Sequence, residues 1–185
     1  LDALARVVGQ REAHPRALGP ADPVALHLLD GFGPVERIEV VEQAIRDVEI
    51  GKAHVGVGVV YRGNLDKPGP ISVAEHDLVS EVYHVIEGTG TLLTGPDILN
   101  MKRRPATLET VRLFNGPGHN GSAVRNGVTH QLKPGDVMVI PAGTGHQFTK
   151  IDDHITYLMI RIDPDKVVPL MDEAASRAYL EENGE

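Results

Sequence analysis

From His54 to Ile162 the chain is cut into short runs of valine, isoleucine, leucine and threonine, each stopped by glycine, proline or asparagine. The runs are His54 to Tyr61, Ser80 to Ile86, Gly90 to Leu93, Thr110 to Phe114, Ser122 to Leu132, Asp136 to Ile140, His146 to Lys150 and Ile155 to Ile162. Most are too short for an ordinary helix. Short strands at such regular spacing imply an antiparallel sandwich or barrel. The 20 glycines and 13 prolines supply the turns that so many strands require.

The flanks read differently. Asp22-Pro23 is a helix start, a capping side chain followed by proline at the first helical position, and Gly31 ends that helix. A second helix is expected from Pro34, with Ile38, Val41 and Ile45 at helical spacing. After Pro164, Leu170, Met171, Ala174 and Ala178 again fall in helical register. The expected organisation is an N-terminal helical extension over 1–44, a β-barrel domain over 45–162 and a C-terminal helical tail over 163–185. Inside the barrel, Thr94 to Pro105 is the longest weakly patterned stretch, the kind that serves as a lid or binding loop.

Composition narrows the function. A formal charge of −8 disfavours a nucleic-acid partner, which calls for a basic face. The one basic cluster, Lys102-Arg103-Arg104, reads as a solvated loop ahead of Pro105. No apolar run reaches the roughly 18 residues of a membrane span. With no cysteine, any metal must be held by histidine and carboxylate. With no tryptophan and few aromatics, the interior is expected to be filled mainly by valine, isoleucine and leucine. The chain opens at Leu1 without a methionine and shows no signal-peptide pattern. Its compartment stays open: cytoplasmic by default, secreted or periplasmic if a leader was removed.

Two stretches carry chemistry. In the strand Ser80 to Ile86, side chains alternate faces, so Glu81, Tyr83 and Val85 share one face and Val82, His84 and Ile86 the other. His76 precedes that strand, within reach of the same end of the barrel as Glu81. In the second stretch, Lys133-Pro134-Gly135-Asp136 turns into a short apolar strand, and Pro141-Ala142-Gly143 turns again to present His146. Two imidazoles and a carboxylate on one side of a metal leave positions open for water, oxygen or substrate.

These stretches resemble the two sequence motifs of the cupin superfamily. Gly135, Pro141, Gly143 and His146 match the second motif, with Lys150 where the family has a final asparagine. His76, Glu81 and Gly88 match the first, with Ala74 where the family has its first histidine. The resemblance covers about Ile45 to Ile162. It implies an all-β, antiparallel double-stranded β-helix (a jelly-roll barrel), here with helices added at both ends. It further implies a divalent metal at the barrel mouth on His76, Glu81 and His146, Fe(II) in the first instance, with Mn, Ni or Zn as alternatives. Ala74 leaves three family ligands in place of four. Cupins include dioxygenases, lyases, isomerases and non-catalytic binders. The expected function is a metal-dependent enzyme, oxygenase or lyase/isomerase in type, acting on a small organic substrate. The alternative is a small-molecule-binding or regulatory barrel. A homodimer is also expected, since pairing covers exposed sheet edges.

Other residues take lesser roles. Tyr83, on the face of Glu81, is either a general acid or substrate hydrogen-bond partner, or a barrel-filling aromatic. His84 faces away and suits packing or an interface. His54 and His130 are alternatives for a fourth ligand, while His14, His27, His119 and His154 read as surface residues. Gly116-Pro117-Gly118-His119-Asn120-Gly121 spells the dinucleotide-binding pattern, but a strand-like stretch follows it rather than a helix, so it reads as a loop.

Overall fold

A computed structural model describes residues 40–183 of the protein. Thirteen strands and one α-helix lie among the described residues. In chain order the first seven strands are β1 (Val40–Ile50), β2 (Ala53–Arg62), β3 (Val73–His76), β4 (Ser80–Gly88), β5 (Gly90–Gly95), β6 (Asp97–Leu99) and β7 (Lys102–Arg103). Then follow β8 (Gly118–Gly121), β9 (Ala123–Arg125), β10 (Val128–Leu132), β11 (Val137–Ile140), β12 (Gly145–Lys150), β13 (Ile155–Asp163) and α1 (Glu173–Asn183).

The strands form two main sheets. One runs β1-β2-β13-β4-β11 and the other β10-β5-β12-β3-β8-β7, while β6 and β9 make a small ribbon. Each ladder is antiparallel. The core draws Val60, Tyr83, Val85, Ile140, Tyr157 and Met159 from the first sheet, and Leu92, Leu132 and Phe148 from the second. The two sheets therefore close on a shared interior, as expected of a β-barrel.

Alternation works as the sequence implies on β4, where Glu81, Tyr83 and Val85 are buried and His84 and Ile86 are exposed. Aromatic residues matter more than their small number suggests. Tyr83 and Tyr157 lie 4.4 Å apart between ring centroids, and Phe148 lies 5.9 Å from Tyr157. Arg62 sits 5.1 Å over the Phe148 ring and donates from Nε to the Tyr157 hydroxyl at 3.0 Å. Valine, isoleucine and leucine fill most of the interior, as expected, with this aromatic stack set among them.

Several local expectations need correction. The helix expected from Pro34 is replaced, over the described residues, by β1. A bulge between Ala44 and Arg46 breaks its period of two and leaves Val41, Ile45 and Val48 at a spacing that mimics a helix. The helix expected at Asp22 lies outside the described residues. Thr110 to Phe114 is not a strand: Val111–Asn115 makes a short π-helical turn, which buries Val111 and ends at Gly116. The stretch from Thr94 to Pro105 is no open loop, because it continues β5 and then supplies β6 and β7. Ser122 to Leu132 is two strands, β9 and β10, turned at Asn126 with a φ of 52°. In the tail, Ala174 and Ala178 lie in α1 while Leu170 and Met171 precede it. Asp172 Oδ1 accepts from the Ala175 amide at 2.8 Å and caps the helix.

Two motif glycines make the fold testable. Gly88 (φ 72°) turns between β4 and β5, where a Cβ would run into the His154 carbonyl. Gly135 (φ 89°) also has a positive φ, with nothing within 4 Å of an added Cβ. Gly135→Ala should cost only the backbone penalty, about 1–2 kcal/mol. Gly88→Ala should cost clearly more, because the strand start at Ile155 must also move. Urea denaturation midpoints decide the order. Equal losses would contradict the close approach.

Candidate metal centre

Glu81 is the middle of the site. Its carboxylate is buried at 2% exposure, with Oε1 3.3 Å from His76 Nε2 and Oε2 3.4 Å from His146 Nε2. The three side chains come from three strands. Glu81 points inward from β4, His76 ends β3 and His146 is the second residue of β12. His76 therefore stands on a strand and not in the loop before one. The rings of His76 and His146 are 5.3 Å apart, and the donor atoms of all three residues lie within 4.8 Å of one another.

Two more side chains grip Glu81. Tyr83 donates its hydroxyl to Oε2 at 2.7 Å, and Arg161 on β13 donates from Nε to Oε1 at 3.3 Å. Arg161 also pairs with Glu42 on β1 at 2.6 Å. Burial pushes the Glu81 carboxyl up, but His76, by charge and hydrogen bond, together with His146 and Arg161, outweighs this and holds it well below the usual range. Burial, followed by the Glu81 charge, pushes the Tyr83 phenol well above its ordinary value, so its proton stays on.

The lone pairs decide whether these residues suit a metal. His146 Nδ1 donates to the Thr144 carbonyl at 3.1 Å, which leaves Nε2 unprotonated and facing Glu81 Oε2. Two acceptors face each other with no hydrogen between them, and a cation is what such a pair lacks. A ring nitrogen donating to a carbonyl is also the support that metal-bound histidines normally have. His146 and Glu81 thus fit an ion as they stand. His76 fits by position, but its Nδ1 accepts from Arg104 Nη2 at 3.0 Å. Ala74 pairs directly with His146 across β3 and β12, so a methyl group stands where the cupin motif has a fourth ligand.

Outside this centre the sequence reading fares unevenly. His54 donates to the Val168 carbonyl at 2.9 Å and His130 pairs with Thr94 Oγ1 at 2.9 Å, so neither joins the centre. His154 is partly exposed and stacks on Tyr61. His119 is no free surface residue: its Nδ1 lies 2.9 Å from Glu75 Oε2 and 3.2 Å from Asp77 Oδ1. Arg103 closes that cluster with a 2.7 Å contact to Asp77. Arg104, expected in a solvated loop, is 7% exposed and reaches His76 itself. Arg104 and Arg161 are the site residues the sequence reading missed. An arginine within a strand-rich interior, at Arg161, was the available signal.

Burial makes the site sensitive to acid. It pushes the His146 imidazole down from 6.5 to about 4, and the Glu81 charge only partly opposes this. Between those values the unfolded chain holds a proton that the folded protein refuses, so stability falls as pH drops from about 6.5 to about 4. At about 1.4 kcal/mol per pH unit, the full loss is roughly 3 kcal/mol. Denaturant titrations across that window should show a shallower slope for His146→Gln than for the unmodified protein. Equal slopes would contradict a neutral buried imidazole.

Residues 120–184 match the family model described as the AraC-like ligand binding domain. No curated protein sequence matches the chain. Among solved structures, the EutQ protein of Clostridium difficile is 15% identical over 69% of this chain and 71% of that one, with a TM-score of 0.41. KdgF from Halomonas sp. is 12% identical over 73% and 83%, with a TM-score of 0.41. The DMSP lyase DddQ from Ruegeria pomeroyi is 18% identical over 65% of this chain, with a TM-score of 0.36, and the chain spans 44% of that protein. With both motif regions set on the strands of an antiparallel two-sheet barrel, and the second inside the matched family model, the chain has the fold that its resemblance to the cupin superfamily implies.

Proposed function

We propose that the protein is a metal-dependent enzyme acting on a small organic substrate, of the oxygenase or lyase/isomerase type. His76, Glu81 and His146 hold a divalent ion, Fe(II) in the first instance, with Mn, Ni or Zn as alternatives. The observation that carries this reading is the bare His146 Nε2 facing Glu81 Oε2 at 3.4 Å, two acceptors with no proton between them. Once bound, the ion supplies a Lewis acid that polarises an oxygen donor of the substrate. The remaining work falls to the chain's own groups. Arg161 and Tyr83 fix the orientation of the Glu81 carboxylate. Tyr83 keeps its proton and, edge-on to His146 at 6.4 Å between ring centroids, holds a phenolic O–H next to the centre. That proton is held on Glu81 Oε2, and it serves the substrate as a hydrogen-bond donor or general acid once that bond is released.

A second reading, a ligand-binding barrel without catalysis, is favoured by Ala74 in the fourth ligand position and by the ligand-binding description of the family model over 120–184. Elemental analysis separates the two faces of β4. His146→Ala and Glu81→Ala should lose most bound metal, whereas His84→Ala, exposed on the outer face, should retain it. If His84→Ala empties the protein and the other two do not, the metal centre lies elsewhere. A protein that carries no metal at all favours the second reading.

A further inference from the structure

Arg104 is held in an unusually specific way. It follows β7, and its amide donates to the Gly118 carbonyl at 3.0 Å. The guanidinium lies against Gly118, where a Cβ would collide with Arg104 Nη2 and the Glu75 carbonyl, so the absence of a side chain there admits it. Nη1 donates to the His119 carbonyl at 3.2 Å and to Asn120 Oδ1 at 3.1 Å. Nη2 donates to the Glu75 carbonyl at 2.7 Å and to His76 Nδ1 at 3.0 Å. Nε is buried without a partner. The cradle therefore aims one N–H at His76 while leaving another of the same side chain unsatisfied.

A guanidinium can only donate. Facing Arg104, His76 Nδ1 must be an acceptor, and the single N–H of the neutral ring lies on Nε2, toward Glu81 Oε1 at 3.3 Å. A metal-binding histidine has the opposite arrangement, with its free lone pair on the ligating nitrogen and its N–H donated outward. His146 has that arrangement through Thr144, and His76 does not. The two imidazoles of one centre are thus set with opposite polarity by their outer partners.

We propose that Arg104 is a positioning residue that locks His76 in the Nε2–H tautomer, so that an ion engages His146 and Glu81 first and His76 only when the Arg104 hydrogen bond is released. In that second step a proton leaves Nε2 and one is taken up at Nδ1, so none is gained or lost overall. The inference rests on the reading of this site as a metal centre.

Two measurements test it on the full chain. Long-range 1H–15N spectra of the metal-free protein should show His76 protonated at Nε2 and His146 at Nδ1. A Nδ1–H tautomer at His76 overturns the lock. Zinc titration should show Arg104→Met binding about tenfold tighter than the unmodified protein, with no gain for Arg104→Lys, whose ammonium also only donates. A 10–100-fold loss in Arg104→Met, the usual result of removing a supporting outer partner, overturns the lock as well. If none of the three proteins binds zinc while His76 carries Nε2–H, the metal reading falls and the hold of Arg104 on His76 stands. Zinc binding with His76 protonated at Nδ1 leaves the metal reading intact and removes the lock.

Discussion

A carboxylate buried at 2% exposure is costly unless charge and hydrogen bonds compensate it, and Glu81 organises its surroundings for that reason. Its partners come from both sheets: Tyr83 and Arg161 from the first, His76 and His146 from the second. Arg161 is in turn held by Glu42 on β1, so the arrangement reaches the edge of its sheet. Removing Glu81 would leave a buried guanidinium with one carboxylate in place of two. The barrel interior has a polar end built on this residue and an apolar body built on the stack of Tyr83, Tyr157 and Phe148. Tyr83 belongs to both.

Around that centre the charged residues of the second sheet form a separate layer. Glu75 neighbours His76 on β3 and pairs with His119 on β8, while Asp77 is shared by His119 and Arg103. Arg104 stands between the layers, with its backbone in the outer one and one N–H on the inner histidine. The run Gly116 to Gly121, which imitates a phosphate-binding motif in sequence, serves this packing. Gly118 makes room for the guanidinium, and Gly121 lies where a Cβ would strike Ile98 on β6. Glycines that look like a ligand loop are here sites of close contact between chain segments.

How much of this is legible in sequence differs from strand to strand. β4 is readable because one of its faces meets the core and the other meets solvent, so its period of two survives in Glu81, Tyr83 and Val85. β3 is hidden, since Val-Ala-Glu-His puts a carboxylate on a buried position, where its partner is His119 on the paired strand β8, more than forty residues on in sequence. β1 is misread as helical because its bulge resets the alternation between Ala44 and Arg46. Arg104 looks like part of a solvated basic loop until Gly118, Asn120 and His119 are brought beside it. Motif spacing brings His76, Glu81 and His146 into view together. The polarity of each imidazole depends on the Thr144 carbonyl and on Arg104, contacts that no spacing rule contains.

Among the described residues, two groups of side chains have the atoms to hold an ion, His76 with Glu81 and His146, and Glu75 with Asp77 and His119. The second is already closed by Arg103 and by the His119 ring, whereas in the first an unprotonated His146 nitrogen faces a carboxylate oxygen with no hydrogen between them. Anomalous scattering from crystals grown with zinc or cobalt locates the ion without reference to activity. The account predicts one strong peak among Glu81, His146 and His76, about 2.0–2.2 Å from Glu81 and His146. A peak among Glu75, Asp77 and His119, with none at Glu81, would contradict it.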